Sequence, residues 1–456
     1  MPDTIVALAT PTGRSGIGVI RLSGTNSLSI TRKLVNEPGS TPEPRAANLR
    51  KLYDPLTGDV IDEAIITYFK APHSFTGEDV VEISCHGSPV LLRQVIDICL
   101  TQNARMADAG EFSLRALANG RINLAEAEAI RDLIDAQTTA SARQSIRQLR
   151  GEFSIRLQPL KDDLLDVIVV LESALEFVED DLPDVQAENV KRKLAAIAEE
   201  TGKLAATFQA GRLIREGLRV ALVGRPNVGK SSLFNALLGS DRAIVTEIAG
   251  TTRDQIHERF TIGDIPISLI DTAGLRETTD IVETIGVERS KATIGDADIV
   301  IVMLDVSEAV AEEDIDIIDS VTGIEHIIAL NKIDKASEDD VETVRFQISN
   351  LKSEIVPLSA KTGEGLDLLQ QAIVQPFSVN DPGTTGFLVT DARHHDLLLR
   401  ARSEIDESLD RINEGMSEEI VLIGLHNALR YLGQITGETT SEDMLTRIFS
   451  TFCIGK

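Results

Sequence analysis

The sequence predicts three structural classes in one chain. These are an N-terminal α+β domain, a discontinuous all-α domain, and an α/β domain with a doubly wound, mostly parallel sheet inserted into it. Three observations carry this. The chain has 456 residues, too many for a single hydrophobic core. Its first quarter alternates short β-like runs with turns, and its middle third alternates apolar strands with helices. Helical periodicity flanks that middle third on both sides. The expected boundaries are 1–118, 119–215, 216–378 and 379–456, the second and fourth segments forming the helical domain.

In the first segment the β-like runs are Thr4–Ala9, Gly18–Leu22, Ala64–Phe69 and Asp79–Ser84, with a turn-rich stretch at 37–44 and one helical run, Pro89–Leu100. From Asn123 the period changes. Leu124, Ala127, Ile130 and Ile134 form one helical stripe, and the pattern continues to about Arg215 with expected breaks at Pro159 and at the DDLPD turn, 180–184. Helical texture returns from Asp391 to Phe452. Insertion of one domain into another works where chain ends lie close together, although the pattern also accommodates two separate helical domains. Between the helical segments, Val220–Val223, Ile267–Ile270, Ile299–Leu304, His326–Leu330 and Ile355–Leu358 read as buried parallel strands, with Glu258–Ile262 as an added edge strand. Ligand sites in such sheets lie at the carboxyl ends of the strands.

Hydrophobic residues make up 42% and charged residues 26%, an ordinary globular composition. Cys85, Cys99 and Cys453 are too few and too scattered for a disulfide framework, which fits a reducing compartment. The first residues, MPDTIVALATPTGRSG, lack a basic segment followed by an apolar run, and no stretch approaches eighteen apolar residues. A cytoplasmic chain with no membrane partner is expected. The net charge of −27 argues against wholesale electrostatic capture of nucleic acid. Residues 1–118 are nearly balanced, with 11 Lys and Arg against 13 Asp and Glu, so a polyanion would have to meet a local patch.

Gly224-Arg-Pro-Asn-Val-Gly229-Lys230-Ser231 lies between strand RVALV and helix SSLFNALLG, the context in which this motif is specific for a P-loop. Its glycines let backbone N–H groups crowd round phosphates, and the helix N-terminus adds a favourable dipole. Lys230 is placed for the β- and γ-phosphates and Ser231 for Mg²⁺. Asn227, Val228, Gly229, Lys230, Ser231 and Ser232 are therefore candidate nucleotide contacts. Asp271, Thr272, Ala273 and Gly274 end the next parallel strand; the Asp would hold Mg²⁺ through water and Gly274 would sense the γ-phosphate. Asn331, Lys332 and Asp334 end strand HIIAL. Asp334 can accept from the two guanine N–H groups that adenine lacks, so adenine would leave that carboxylate unpaired. Ser359, Ala360 and Lys361 complete the base pocket.

Thr246, Glu247, Ile248, Ala249, Gly250, Thr251 and Thr252 fall where a first switch loop belongs, with Thr252 a candidate Mg²⁺ ligand. After the DTAG motif stands Leu275, which cannot position water as the glutamine of Ras-like enzymes does. Asn227 is a candidate ligand for a monovalent cation that neutralises charge as an arginine finger does, or else a turn former. These four motifs, in order at strand ends, resemble the GTPase superfamily.

GRPNVGKSSLFNAL, IVTEIAGTTRD and DTAGLRET resemble the Era-like bacterial GTPases. SFTGEDVVEISCHG (74–87), AGEFSLRALANGRINLAEAEAIRDLIDA (109–136), ITGETTSEDMLTRIFSTFCIGK (435–456) and TIVALATPTGRSGIGVIRLSG narrow this to the MnmE/TrmE family, tRNA uridine-modification GTPases, over essentially the whole chain. That resemblance implies addition of a carboxymethylaminomethyl or aminomethyl group to C5 of the wobble uridine of certain tRNAs. It implies a partner that uses FAD and NADH, GidA (MnmG), in a heterotetramer, and an N-terminal domain that dimerises and binds 5-formyl- or 5,10-methylene-tetrahydrofolate. It also implies a discontinuous helical domain and GTPase domains that pair across a potassium ion.

Carried over by motif, the K⁺ ligands fall on Asn227, Thr246, Ile248 and Thr251, and Mg²⁺ on Ser231 and Thr252. Glu283 matches the glutamate that orients water; its bland reading is a surface acid. Glu283 and Lys230 are the catalytic candidates. Folate contacts fall on Arg21, Glu82 and Arg121, with Lys456 close by. Arg121 stands where the family often has lysine, keeping the charge but changing the geometry. Cys453 is the cysteine of FCIGK, either a residue needed for the modification or a small hydrophobe at a buried tail. A rival from another class is an RNA-binding assembly or regulatory switch that modifies nothing. Such a factor is expected to carry a basic RNA-binding module, and residues 1–118 are balanced in charge.

Overall fold

The computed structural model describes residues 3–176, 184–240, 257–271, 297–348, 353–377, 386–438 and 442–455. The chain divides into two compact units, each assembled from separated stretches of sequence. The first comprises Met1–Ile134, Ile146–Ala198 and Arg400–Lys456; the second comprises Asp135–Ser145 and Glu199–Leu399.

The first unit opens with β1 (Thr4–Leu8), β2 (Ser15–Ser23), α1 (Ser27–Leu34), β3 (Ala47–Tyr53), β4 (Val60–Phe69), β5 (Val80–Gly87), α2 (Pro89–Thr101), β6 (Ala104–Met106) and α3 (Glu111–Ala118). The strands form one sheet in the order β3-β4-β5-β2-β1-β6, antiparallel except where β1 meets β6. Alternation decides its faces. Ile20, Leu22, Ile66, Val81 and Ile83 turn to one side, where Val95 and Cys99 of α2 and Ile30 and Leu34 of α1 close a core. Arg21 and Glu82 stand on the other side, paired in register. Arg21, inside the expected run Gly18–Leu22, lies within β2. The sequence reading lacked α1, α3, the edge strand β3 and the three-residue β6.

The helical segments are α4 (Leu124–Asp135), α5 (Thr139–Leu149), α6 (Glu152–Glu176), α7 (Asp184–Ala206) and α8 (Phe208–Glu216), with later helices at Ala392–Asn413, Glu418–Thr436 and Glu442–Phe449. The stripe on α4 buries Leu124, Ala127 and Ile130 but leaves Ile134 exposed near the helix end. Leu124 and Ala127 pack with Phe449 and Phe452 from the far end of the chain.

Pro159 does not break the helix: α6 runs through it. A mid-helix proline removes the bond to the carbonyl four residues back and normally costs about 3 kcal/mol. Here Leu157, Leu160, Leu164, Val167, Ile168 and Leu171 are all buried, α6 packs along helix Glu418–Thr436, and Pro159 itself faces solvent. Tertiary burial over four turns outweighs one lost hydrogen bond. Of the DDLPD turn, only Asp184 lies within the described residues, and it opens α7.

The second unit carries β7 (Leu218–Val223), α9 (Lys230–Ser240), β8 (His257–Ile262), β9 (Ile265–Asp271), β10 (Ile299–Asp305), β11 (His326–Asn331) and β12 (Glu354–Pro357). The order is β12-β11-β10-β7-β9-β8, parallel except for the antiparallel edge strand β8. Both faces are covered, as a parallel sheet requires. Val220, Leu222, Ile299 and Ile301 pack under Leu233 and Leu237 of α9 and Leu369 and Ile373 of helix Leu366–Val374. Ala221, Val223, Val300 and Val302 pack on the other face against Ile318 of helix Glu312–Ser320 and Val344 of helix Glu338–Gln347.

Candidate functional site

Because β7, β9, β10, β11 and β12 run parallel, their carboxyl ends bring Val223, Asp271, Asp305, Asn331 and Pro357 to one edge of the sheet. The loop leaving β7 takes three left-handed turns, with φ of 148° at Gly224, 65° at Asn227 and 105° at Gly229. A Cβ on Gly224 would sit 2.6 Å from the Met303 carbonyl oxygen, and one on Gly229 would sit 2.2 Å from Asn331 Nδ2. Both positions are closed to side chains, which leaves a cradle of backbone of the kind that phosphates occupy.

Val228 is buried and pins the loop to the core, whereas Asn227, Ser231 and Ser232 are exposed. Lys230, the first residue of α9, lies back across the loop, its Nζ donating to the carbonyl oxygens of Gly224 (2.6 Å) and Arg225 (2.8 Å). The left-handed φ at Asn227 supports its reading as a turn former, and its exposed side chain remains open to a ligand.

The buried Asn331 side chain stitches two loops together. Its Nδ2 donates to Val228 O at 2.7 Å, and its Oδ1 accepts from Ala360 N at 2.9 Å. Ser359, fully buried, donates to Asp334 Oδ1 at 2.7 Å and accepts from Thr362 N at 3.2 Å. That bond orients the otherwise exposed Asp334 carboxylate, as a group that must meet the edge of a base requires. Lys361 is exposed beside it. The P-loop, the NKID turn and the SAK turn are thus one hydrogen-bonded constellation.

Two carboxylates that sequence reasoning missed complete it. Asp305 ends β10 and bonds through Oδ2 to the Lys332 ammonium and through Oδ1 to the Ser307 hydroxyl at 2.6 Å and amide at 3.0 Å. Burial pushes this carboxyl up, but the bonds from Lys332 and Ser307 outweigh it and hold it below its ordinary value. Asp314 accepts from Arg225 Nε at 2.7 Å while its other oxygen accepts from Ala311 N at 3.0 Å, capping helix Glu312–Ser320. The available signal was an acid at the end of a wholly apolar strand, IVIVMLD.

Thr246, Glu247, Ile248, Ala249, Gly250, Thr251, Thr252, Thr272, Ala273, Gly274 and Glu283 lie outside the described residues, as does Lys456. Asp271 closes β9 opposite Leu222.

In the first unit, Arg21 donates to Glu82 Oε1 through Nε at 3.0 Å and Nη2 at 2.7 Å, a cross-strand ion pair. Its Nη1 donates to the Gly455 carbonyl oxygen at 3.2 Å, and its guanidinium lies 6.0 Å from the Phe75 ring centroid and 5.7 Å from that of Phe112. The C-terminal tail is held there: Ile454 bridges to Ala109, and Gly110 N donates to Cys453 O at 3.4 Å. Arg121 is exposed in the turn after α3, its stem against Gly77. Cys453 is exposed, which removes the reading of a buried hydrophobe.

Comparison with known proteins bears on both units. The family model described as the MnmE helical domain matches residues 124–453, spanning the second sheet, and that of the GTP-binding protein TrmE N-terminus matches residues 4–121. The chain is 42% identical to the tRNA modification GTPase MnmE of Aquifex aeolicus and 43% identical to that of Koribacter versatilis, each over 100% of both chains. It is 40% identical to that of Alkaliphilus metalliredigens, again over 100% of both. A match of this length and identity, together with the P-loop constellation, makes the chain a member of the MnmE/TrmE family of tRNA modification GTPases.

Proposed function

We propose that this chain hydrolyses GTP in a K⁺-dependent manner and, with the FAD- and NADH-using partner GidA (MnmG), adds a carboxymethylaminomethyl or aminomethyl group to C5 of the wobble uridine of tRNA. The observation that supports the nucleotide half most directly is Asn331, whose amide ties the phosphate cradle to the turn carrying Asp334 and Ser359. A triphosphate in the cradle leaves its base at that turn. Asp334, already aligned by Ser359, accepts from the guanine N–H groups, and adenine offers it no pair.

The donor set suits the ions. Ser231 on the first turn of α9 and Thr252 would be the direct oxygen ligands of a hard Mg²⁺, with Asp271 at the end of β9 holding the ion through water. Asn227 would hold K⁺ with Thr246, Ile248 and Thr251, and the ion would neutralise charge developing on the transferred phosphoryl group. Glu283 would orient water in place of the glutamine that Leu275 replaces.

For the one-carbon donor, Arg21, Glu82, Arg121 and Lys456 are the proposed contacts to 5-formyl- or 5,10-methylene-tetrahydrofolate. A reduced folate carries a flat pterin edge and an anionic tail; Glu82 can accept from pterin N–H groups and the arginines offer positive charge. Arg21 is held by Glu82 and Gly455 O between two aromatic rings, so its direction is set before a ligand arrives. Cys453, exposed in the C-terminal segment, is the candidate for a step in the modification. Dimerisation through the N-terminal domain, a heterotetramer with the partner, and cytoplasmic residence belong to the same reading. Among the described residues no helix is long and apolar enough to cross a membrane.

The test is co-purification of the chain with a flavoprotein, followed by nucleoside analysis of tRNA from a deletion strain. Loss of the C5-modified wobble uridine, restored by the intact chain, is expected; a deletion strain that retains the modified nucleoside contradicts the proposal.

A further inference from the structure

We propose that the outer face of α5, carrying Arg143, Arg147 and Arg150, is a phosphate-binding surface for tRNA. The inference rests on tRNA as the substrate of this chain and adds where an acidic protein meets a polyanion. Residues 136–151 hold three arginines and no acidic residue, in a chain with 72 Asp and Glu against 45 Lys and Arg. The arginines stand at i, i+4 and i+7. At 3.6 residues per turn they fall within roughly 60° of one another around the helix and along about 10 Å of its length. The opposite face of the same helix is polar and buried, with Ser141, Gln144, Ser145 and Gln148. Gln144 Nε2 donates to Gly386 O at 2.9 Å, and Gln148 Nε2 donates to Ala125 O at 2.8 Å. Rolling the helix would break these buried bonds and leave amides unpaired, so the arginine face is held outward. Arg143 and Arg150 are exposed and Arg147 is half-buried.

Other arginines of this chain answer to carboxylates. Arg21, Arg105, Arg115, Arg212, Arg215 and Arg225 are all ion-paired. Arg143, Arg147 and Arg150 have no ion pair and no side-chain hydrogen bond among the described residues. Acid is in excess over the chain as a whole, so three neighbouring arginines without a carboxylate keep their donors for a partner outside it. A guanidinium takes two phosphate oxygens at once, and its weak hydration makes the exchange of water for phosphate cheap. A nucleic-acid strand repeats its phosphates every few ångströms, so the stripe spans several of them. An acidic protein surface offers carboxylates without that regular spacing. Phosphate contacts position a nucleic acid and carry no sequence information, so α5 holds the tRNA and leaves the choice of base to other residues.

The test is the affinity of the full chain for a transcribed, labelled tRNA, followed by fluorescence anisotropy over a series of salt concentrations. Arg143→Gln, Arg147→Gln and Arg150→Gln are each expected to weaken binding roughly fivefold, the scale of one exposed ion pair. The triple variant should also flatten the fall of log affinity with log salt, by about 0.7–0.9 for each arginine removed. Replacing all three by lysine should recover most of the affinity and the slope, because phosphate also accepts a point charge. GTP hydrolysis and the melting temperature should stay at wild-type values in every variant, which separates a lost contact from a disturbed helix. Arg345→Gln, on helix Glu338–Gln347, should change neither affinity nor slope. Wild-type affinity and slope in the triple glutamine variant overturn the proposal and leave the face to an acidic protein partner or to solvent. An equal loss in Arg345→Gln also overturns it, since the response would then follow net charge alone. A wild-type chain that binds no tRNA instead overturns the tRNA reading itself, so the two failures are distinct.

Discussion

Lys230 spends its ammonium on the carbonyls of Gly224 and Arg225, the acceptors its own loop provides. The backbone that presents those carbonyls is held from behind by the Arg225–Asp314 pair, in which a carboxylate also caps a helix. Arg225→Ala therefore leaves Asp314 buried without its cation and frees the start of the loop. We expect roughly tenfold weaker GDP binding together with a lower melting temperature, because loss of one partner costs more than the pair contributed. Fluorescence titration and thermal unfolding of the same variant check both. Elsewhere in the second unit, Asp391 pairs with Arg215 at 2.7 Å. Burial pushes the Asp391 carboxyl up, but His394 and Arg215 outweigh it and hold it well below the usual carboxylate range. A depressed carboxylate contributes stability that is present above its unfolded value and lost as pH falls through its folded one. Acid unfolding should thus steepen below about pH 4, and Arg215→Ala should cost about 3 kcal/mol at neutral pH and flatten that acid limb. Equal stability of the variant at pH 7 contradicts the pair's role.

At the level of elements, what the sequence revealed depended on how each segment is buried. Strands β7, β10 and β11 are covered on both faces and, like β9, read as short, mostly apolar runs, so their positions were legible to within a residue or two. Strand β3, ANLRKLY, pairs on one side only and exposes Leu49 and Lys51, so its alternation is weak and no strand was read there. The phosphate and base motifs were legible because their chemistry is local, within a few residues of a strand end. Asp305 and Asp314 were not, since each acts on a residue far along the chain, Lys332 or Arg225. Pro159 misled for a related reason: propensity is local, and the packing that overrides it comes from helix Glu418–Thr436. Pro159→Ala restores the missing donor on an exposed face, and we expect it to raise stability by roughly 1–3 kcal/mol in denaturant titration. A destabilised variant would show that the helix is built around the proline.

For the whole molecule, helical periodicity on both flanks of the second sheet foretold insertion, and the helical family model runs from residue 124 to residue 453 across it. The separation of the Arg21 and Lys230 sites into different compact units has a consequence that can be measured. Arg21→Ala should abolish binding of 5-formyltetrahydrofolate in calorimetry while GTP hydrolysis survives; normal folate binding by the variant, or none by the wild type, sinks the folate assignment. Replacing K⁺ by Na⁺ should lower turnover by roughly 10³–10⁵, the scale of losing an arginine finger, and equal turnover in both salts removes the cation from the account. The central claim is that a guanine nucleotide sits against Asp334 in the constellation bound by Asn331. It is tested most directly by the hydrolysis of GTP and xanthosine triphosphate by Asp334→Asn in K⁺. An amide there offers an N–H to a ring carbonyl, so we predict that preference moves from GTP to xanthosine triphosphate; unchanged KM for GTP in the variant would contradict the account.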